Sequence, residues 1–351
     1  MKRIVSMTLF SDPRTQGGIE TFNRTMKNFY PENWMMITNS NRDSKIYDVA
    51  DVTEIGSQNI FFKIINRMLK NKWRESLILK EVEKNLDGVI IFSFPHEVQL
   101  LKKIKAKKIL VQHGNFDNYM SNYCGGRQDY INGIKNDTDY FIALSPQDGK
   151  RFKEELNLSE NQIKVIRHSS KMKLLKIKKE KNKKLIIIAR LDIYHKGLDM
   201  AIKVMKKLSD FTLEIYGDEH REGEKEKLEK IIKENNISNV FLRGSTNKVQ
   251  EKLDESGIFI MTSNYEGYPI STIEAMRRGL PIILRNTFEA AEDIVIDNGV
   301  LLEKEWNEDK FVEAVKKVYA NYEYYSENSK KLGERHSFEV IKKEWDKLLN
   351  N

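Results

Sequence analysis

Cysteine is almost absent from this sequence of 351 residues, which contains only Cys124. A single cysteine excludes a disulfide framework within the chain and fits a reducing compartment such as the cytoplasm. The six histidines are scattered, so the paired Cys/His spacing of a structural zinc site is missing as well. No run of 18 or more apolar residues occurs, and we therefore expect no membrane-spanning helix. The start of the chain is basic but has only a short apolar run, which predicts a first buried strand and no signal peptide.

Basic residues are concentrated in the first half of the chain. Residues 1–180 hold 31 Lys and Arg against 21 Asp and Glu, whereas residues 181–351 hold 29 against 31. The whole chain carries a net charge of +8. Such an asymmetry predicts two domains with different partners, and nucleic acid or an anionic membrane surface is the usual partner of a basic domain.

Apolar, β-branched runs alternate with amphipathic segments in both halves of the sequence. This alternation predicts parallel sheets that are covered by helices on both faces. The length of the chain also fits two domains. The runs that we predict as strands are RIVSMTLF, WMMITN, GVIIFSF, KILVQHG, YFIALS, KLIIIAR, FTLEIYG, VFLRG, IFIMTS and PIILRN. The sequence therefore predicts an α/β protein with two doubly wound, Rossmann-like domains.

The boundary between the two domains is predicted in a lysine-rich segment, SSKMKLLKIKKEKNKK, which lacks strand or helix signals. We expect a first domain over residues 1–170 and a solvated, basic linker over 171–184. The second domain is expected over 185–330. A C-terminal helix over 331–351 is expected to cross back to the first domain.

Residues 61–82, FFKIINRMLKNKWRESLILKEV, have the pattern of a basic amphipathic helix. Apolar side chains such as Phe61, Ile65 and Trp73 recur at helical spacing, with lysines and arginines between them. A helix of this kind can lie on anionic lipid. It can equally pack on its own sheet with a solvated basic face, and both interpretations stay open here.

Two segments that follow predicted strands carry groups suited to a phosphorylated ligand, because ligands bind at the carboxyl ends of parallel strands. Gly17 and Gly18 follow the first strand and precede a helix, where backbone amides can approach a phosphate. They lack the GxGxxG and GK[ST] spacings of nucleotide-binding loops. Arg190 and Lys196 follow the first strand of the second half, and two cations there can neutralise a diphosphate. The neighbouring His195 is expected to be an ordinary loop residue.

The stretch NYEGYPISTIEAMRRGLP places Glu266 and Glu274 on either side of a predicted helix start. Ser271 followed by Glu274 fits a capping box, in which the glutamate reaches back to the amide of the serine. That interpretation leaves Glu266 unexplained, together with the Gly and Pro residues around it.

Taken together, the GG segment, the ARL…HKG segment and EGYPISTIEAMRRGLP resemble glycosyltransferases of the GT-B fold, in particular family 4. The last segment matches the E-x7-E pattern, with EG, P, EAM and GLP in register. The resemblance implies two Rossmann-like domains that face each other across a cleft. It also implies transfer of a hexose-type sugar from a nucleotide-sugar donor with retention at the anomeric carbon. The first domain would receive the acceptor and the second would hold the donor, and no metal or other cofactor is expected.

Carried over to this sequence, the resemblance implies roles for individual residues. Glu266 would hydrogen-bond hydroxyls of the donor sugar, and Glu274 would hydrogen-bond the ribose hydroxyls. The residues expected along the diphosphate are Tyr268, Pro269, Ile270 and Ser271. The groups expected to stabilise charge on the departing diphosphate are Arg190, Lys196 and the amides of Gly17 and Gly18. The expected catalytic residues are His113, Arg190, Lys196 and Glu266.

Other polar residues near strand ends have competing interpretations. His113 matches a family position near the reacting sugar, although a structural histidine at a strand end would look the same. His96 also follows a strand and could lie near the sugar. Asp137 and Asp139 form a D-x-D, a pattern that can hold a divalent ion in another class of glycosyltransferase. Here they precede a strand, at the end away from the expected ligand, and we predict solvated turn residues.

The sequence therefore predicts a cytoplasmic glycosyltransferase that uses a nucleotide-sugar donor, with UDP as the default carrier. The expected acceptor is a glycan or a lipid-linked glycan of bacterial surface polysaccharide synthesis. Peripheral contact of the basic first domain with the inner face of the plasma membrane stays open, and no nucleic-acid partner is expected. Two alternatives remain. One is a catalytically silent relative that serves as the partner subunit of another transferase, and the other is a basic nucleic-acid-binding protein.

Overall fold

The computed structural model describes residues 3–15, 17–39, 47–55, 67–68 and 72–350. The chain divides into two compact units. The first comprises Met1–Arg167 with Lys342–Asn351, and the second comprises His168–Ile341. Each unit is built on one parallel sheet with helices between successive strands.

The sheet of the first unit has seven strands in the order β3-β2-β1-β4-β5-β6-β7. The strands are β1 Ile4–Met7, β2 Trp34–Thr38, β3 Val52–Glu54, β4 Val89–Phe92, β5 Lys107–Val111, β6 Tyr140–Ala143 and β7 Ile163–Val165. The central strands β1 and β4 are buried along their whole length, which is why their sequences read as continuous apolar runs. Their pairing is in register, with Ile4 opposite Val89.

Helices cover this first sheet on both faces. They are α1 Gly18–Phe29, α2 Lys72–Asn85, α3 Pro95–Leu100, α4 Phe116–Asn118, α5 Gln128–Asn136 and α6 Pro146–Leu156. A π-helical turn over Tyr119–Cys124 follows α4. The start of α6 is encoded locally, because the Ser145 side chain accepts a hydrogen bond from the amide of Asp148 and Pro146 occupies the first turn.

The sheet of the second unit has six strands in the order β10-β9-β8-β11-β12-β13. The strands are β8 Lys184–Ile188, β9 Thr212–Tyr216, β10 Val240–Gly244, β11 Ile258–Met261, β12 Ile282–Arg285 and β13 Gly299–Leu302. The helices are α7 Ile193–Lys196, α8 Leu198–Val204, α9 Glu224–Glu234, α10 Val249–Asp254, α11 Ile270–Arg277, α12 Ala291–Ile294, α13 Glu308–Ala320 and α14 Tyr322–Glu334. The last helix, α15 Phe338–Asn350, begins in the second unit, and its residues from Lys342 onward belong to the first.

All ten predicted strands are present, and the predicted class of two doubly wound parallel sheets is confirmed. Three strands that we did not predict, β3, β7 and β13, lie at sheet edges. They are only three or four residues long, and none of their residues is fully buried. Short edge strands need no continuous apolar run, so hydrophobic periodicity does not reveal them.

Each sheet contains one point at which the strand order reverses. In the first sheet it lies between β1 and β4, and in the second between β8 and β11. At such a switch point the segments that follow the two strands leave in opposite directions and open a crevice at the carboxyl edge, where ligands of open α/β sheets bind. A ligand-binding site is therefore expected at these two edges.

The segment predicted as a solvated linker is partly anchored to the second unit. The amide of Leu175 donates to the carbonyl of Arg277 at 2.8 Å. Lys179 is buried, and its ammonium donates to the carbonyls of Leu253 and Asp254 at 2.7 and 2.6 Å. Burial lowers the pKa of Lys179 to about 8. The expectation of a solvated linker was therefore wrong at Lys179, because its ammonium binds the last carbonyls of α10.

The predicted amphipathic segment 61–82 lies largely outside the described residues, since 61–66 and 69–71 are not among them. Of its described residues, 72–82 belong to α2, which buries Ile78 and Val82. The lipid-binding interpretation stays a prediction. Within the described parts of the chain, no helix combines the length and the apolar character needed to cross a membrane.

Candidate active site

Two segments meet at the switch point of the second sheet, one following β8 and one following β11. The hydroxyl of Thr262 donates to the carbonyls of Lys196 and Gly197, each at 2.9 Å. The amide of Asn264 donates to the carbonyl of His195 at 2.8 Å. Gly197 has a φ of 58°, and a Cβ atom there would lie 2.4 Å from the carbonyl oxygen of Thr262. Only glycine permits this approach.

This close approach places the side chain of Lys196 in contact with that of Glu266. The Lys196 Nζ lies 2.7 Å from Glu266 Oε1, and the two side chains are 12% and 10% exposed. Burial alone would raise the pKa of Glu266, but the positive charge of Lys196, with His195 nearby, outweighs it and holds that pKa below its usual value. The site therefore contains an ionised carboxylate and an ammonium that are both largely removed from water.

His195 is part of the same arrangement, although we expected an ordinary loop residue. Its backbone amide donates to the carboxylate of Asp192, which caps α7. Its ring stacks on Tyr265 with centroids 4.0 Å apart, and its Nε2 lies 2.9 Å from the carbonyl oxygen of Tyr265 and 3.8 Å from Glu266 Oε2. Burial, with the charge of Lys196, lowers the pKa of His195. The neutral ring donates from Nε2 to the carbonyl and braces the segment that carries Glu266.

Arg190, predicted at the same sheet edge as Lys196, contacts a different group. It is exposed, and its Nη1 lies 3.2 Å from His220 Nδ1 in the segment after β9. The two predicted cations thus share the carboxyl edge of the second sheet, with Lys196 paired to a carboxylate and Arg190 beside an imidazole.

The predicted capping box at Ser271 is wrong. Helix α11 begins at Ile270, and Pro269 occupies the N-cap without a side-chain cap. Ser271 is therefore already inside the first turn, where its hydroxyl cannot cap, and the hydroxyl of Thr272 donates to the Pro269 carbonyl instead. Glu274 is only partly exposed, and burial raises its pKa to about 7.

The side chain of Tyr268 is committed to a buried network. Its hydroxyl donates to Asp293 Oδ2 at 3.0 Å and lies 3.1 Å from His336 Nε2. His336 Nδ1 in turn lies 2.8 Å from the carbonyl oxygen of His168. The side chain is 4% exposed, so only the main chain of Tyr268 is left for the predicted contact with a diphosphate.

Gly17, Gly18 and His113 belong to the first unit. Gly17 is the N-cap of α1, which begins at Gly18, and this helix start follows β1 at the carboxyl edge of the sheet. His113 follows β5, and its ring packs edge-on against Phe22 of α1 with centroids 5.2 Å apart. His96 lies against Phe10 and Phe94.

The D-x-D aspartates lie where the sequence placed them, immediately before β6 at the amino edge of the sheet. Asp139 Oδ2 accepts a hydrogen bond from the amide of Lys108 at 2.7 Å, and Asp137 lies 3.5 Å from the side-chain amide of Gln99. Both are turn residues. Over the described ranges, no three His, Cys, Asp or Glu side chains converge as potential ligands of one metal ion.

Several residues that shape the site carried no recognisable sequence signal. Thr262 and Asn264 follow a strand and look like ordinary loop residues, yet they join the two segments. His336 lies 70 positions beyond Glu266 in the sequence, and nothing local connects it with Tyr268. For His195 a signal did exist, since it directly precedes Lys196 in a segment already singled out.

Replacing Tyr268 by phenylalanine removes one hydroxyl from the buried network. Asp293 and His336 then each lose a partner, so we expect Tyr268→Phe to lower the free energy of unfolding by about 1–3 kcal/mol. Urea unfolding followed by circular dichroism measures this. The matched control is Tyr324→Phe, because Tyr324 is 57% exposed and its hydroxyl lies at the surface. Equal unfolding midpoints for both variants would contradict the structural role of the network.

The raised pKa of Glu274 predicts a pH-dependent loss of stability. Its carboxyl titrates near pH 7 in the folded chain and near pH 4.3 when unfolded, so the wild type loses stability as pH rises between these values. Glu274→Gln does not titrate. Its free energy of unfolding relative to wild type should rise from pH 4.5 to pH 8 by up to about 3 kcal/mol. The exposed Glu313→Gln serves as control, and a parallel pH profile for Glu274→Gln and wild type would rule the effect out.

The part of the sequence that contains this site is similar to a known protein family. Residues 170–335 match the model of the family described as Glycosyl transferases group 1. This range contains the whole arrangement around Lys196 and Glu266.

An uncharacterized glycosyltransferase of Haemophilus influenzae is 27% identical over 327 residues, which cover 86% of this chain and 91% of the relative. A poly(ribitol-phosphate) alpha-N-acetylglucosaminyltransferase of Staphylococcus aureus is 32% identical over 161 residues. That match covers 44% of this chain and 32% of the relative, so this chain spans only about a third of it.

Among solved structures, that of Anabaena HepE in complex with UDP-glucose is similar over all of both chains, with a TM-score of 0.81 and 12% identity. At this identity the likeness concerns the fold, which is the GT-B fold with two Rossmann-like domains. Together, these findings show a GT-B fold, and residues 170–335 are similar to the glycosyl transferases group 1 family.

Proposed function

We propose that this chain is a retaining, metal-independent hexosyltransferase with the E-x7-E pattern of family 4. It moves a sugar from a UDP-sugar to a glycan or lipid-linked acceptor in bacterial surface polysaccharide synthesis, in the cytoplasm. The observation that carries the proposal is the ion pair of Lys196 and Glu266 at the switch point of the second sheet. It places two largely buried opposite charges where open α/β sheets bind their ligands.

The diphosphate of the donor is assigned to the amino end of α11. The first amides of a helix have no partner within the helix and carry the positive end of its dipole. In α11 these amides belong to Ile270 and the residues after it, directly behind Pro269. As the sugar departs, negative charge grows on the diphosphate. Lys196 and the exposed Arg190 supply the positive charge that stabilises it.

Glu266 is assigned to the donor sugar. Because Lys196 keeps the pKa of this carboxyl low, the group stays ionised and accepts hydrogen bonds from sugar hydroxyls. An anionic oxygen also favours the positive charge that develops on the sugar ring in the transition state. In the bond that breaks, the ammonium of Lys196 thus acts on the departing diphosphate, and the carboxylate of Glu266 acts on the sugar.

Glu274, one helical turn further along α11, is assigned to the ribose. With no capping role left for it, its carboxylate can accept hydrogen bonds from the two ribose hydroxyls. The uridine carrier is supported by Anabaena HepE, which was solved with UDP-glucose. A polymeric acceptor is supported by the Staphylococcus aureus relative, which is named for its action on poly(ribitol-phosphate).

Thermal unfolding in the presence of UDP, GDP, ADP or CMP tests this assignment, with Mg²⁺ or EDTA added in parallel. At 100 times its dissociation constant a ligand adds about 2.7 kcal/mol, which moves a melting temperature by several degrees. We expect UDP alone to stabilise the wild type, equally in Mg²⁺ and EDTA. The shift should disappear in Glu274→Ala and persist in the exposed control Glu313→Ala.

Each part of the proposal can fail separately in this experiment. Stabilisation by another nucleotide would overturn the uridine carrier, and a shift that requires Mg²⁺ would overturn metal independence. A full UDP shift in Glu274→Ala would overturn the ribose contact. If no nucleotide stabilises the chain, the donor site itself is refuted.

A further inference from the structure

Aromatic rings gather at the carboxyl edge of the first sheet, beside its switch point. Phe10 follows β1, Phe94 and His96 follow β4, and Tyr123 and Tyr130 follow β5. Strands β1, β4 and β5 are adjacent and parallel, so the segments that follow them emerge at one edge. We refer to these five residues as the aromatic cluster. The role proposed for the second unit uses none of them.

One ring of the cluster, that of Phe10, is largely exposed to solvent and packs against the rings of His96 and Phe94. Phe10 is 60% exposed, whereas Phe94 is 7% exposed. The Phe10 ring lies 4.6 Å from the His96 ring and 5.8 Å from that of Phe94. Phe94 in turn contacts Tyr123 edge-on at 5.3 Å, and His96 lies 6.3 Å from Tyr130. An exposed aromatic face that is held on a packed base offers a flat, rigid apolar surface to a ligand.

The base of the cluster is held by a buried carboxyl group. Glu97 accepts hydrogen bonds from the backbone amides of Leu9, Ser93 and Phe94 at 2.7, 2.9 and 3.0 Å. Burial raises the pKa of Glu97 to about 7, although these three amides act in the opposite direction. The carboxyl group thus ties the residue before Phe10 to the segment after β4. It fixes the ring in position, as a binding site requires.

The charged groups in the segments that carry the cluster are not net positive. Burial lowers the pKa of His96 to about 4, so the ring is uncharged at neutral pH. Arg14, four residues beyond Phe10, pairs with Asp12 at 2.7 Å. Arg127, three residues before Tyr130, pairs with Asp129 at 2.7 Å. Arg14 also pairs with Glu54, and the carboxylate of Glu20 acts on the Tyr123 hydroxyl. These segments therefore hold more carboxylates than cations, so the cluster suits an uncharged ligand better than a phosphate.

We propose that the aromatic cluster binds an uncharged sugar ring of the acceptor, with Phe10 as its stacking platform. This inference rests on the proposed function, because it defines the acceptor of that transferase. One face of a pyranose consists of C–H bonds whose hydrogens are slightly positive, and such a face complements the negative π face of Phe10. Hydroxyl groups at the rim of the sugar stay in water or reach the nearby tyrosine hydroxyls.

The size of the exposed surface favours a single sugar ring over a hydrocarbon chain. Within the cluster as the structure describes it, Phe10 is the ring that stands largely in solvent, while the others are buried or partly buried. One phenyl face matches one pyranose. A lipid chain would require a longer continuous apolar surface to be held from water. The proposal therefore assigns the cluster to the sugar part of the acceptor.

Saturation-transfer NMR with four methyl glycosides, those of glucose, galactose, N-acetylglucosamine and mannose, tests the proposal in the presence of UDP. Glycerol 3-phosphate serves as the anionic probe. We expect at least one glycoside to bind the wild type, with the strongest transfer to hydrogens on one ring face. Its affinity should fall about tenfold in Phe10→Ala, which loses the aromatic contact. Phe10→Tyr keeps the ring and should bind normally, as should Tyr324→Ala, which removes a similarly exposed ring of the second unit.

Three results would overturn the proposal. They are unchanged glycoside affinity in Phe10→Ala, binding of none of the four glycosides by a wild type that binds UDP, and displacement of the glycoside by glycerol 3-phosphate. The UDP-induced thermal shift is measured on every variant. It should be equal in wild type and Phe10→Ala, because the residues assigned to the donor belong to the second unit and those of the cluster to the first. Loss of UDP binding by the wild type would instead refute the proposed function.

Discussion

The ion pair between Lys196 and Glu266 is the interaction on which the second unit depends. Removing two charges from water costs several kcal/mol for each ion, and only close, well-directed contact offsets this cost. The contact at 2.7 Å requires the segments after β8 and β11 to touch. They touch because Gly197 allows its backbone to lie against Thr262. A buried pair adds little to stability by itself, and its position at the switch point is the reason why we propose for it a role in binding and catalysis.

The segment that carries Glu266 is held from two sides. On one side His195 stacks on Tyr265 and binds its carbonyl. On the other side the hydroxyl of Tyr268 joins Asp293 and His336. Glu266 therefore lies between two anchored aromatic residues. Such support keeps a catalytic side chain within the narrow range of positions that transfer chemistry needs.

The sequence predicted the sheets well because buried parallel strands must be continuously apolar, and it missed only short edge strands. The E-x7-E pattern singled out Glu266 and Glu274 together as candidates for the donor site, but it did not predict their local geometry. Pro269, not Ser271, precedes the first turn of α11, so the expected capping box does not form. The role of His336 arises from contacts between distant segments, which no local pattern encodes, whereas His195 directly precedes Lys196 in a segment that the sequence had singled out. Phe10 was hidden for a similar reason, since an apolar residue after a buried strand looks like part of that strand.

The most direct test of the catalytic role of the ion pair is the slow hydrolysis of UDP-glucose and UDP-N-acetylglucosamine, which needs no acceptor and is followed by UDP release. Glu266→Gln keeps the shape of the side chain and removes its charge. We predict that it lowers kcat about 100-fold or more while UDP binds with nearly unchanged affinity. Hydrolysis by Glu266→Gln at the wild-type rate would contradict the account, because the carboxylate would then take no part in breaking the bond to the sugar.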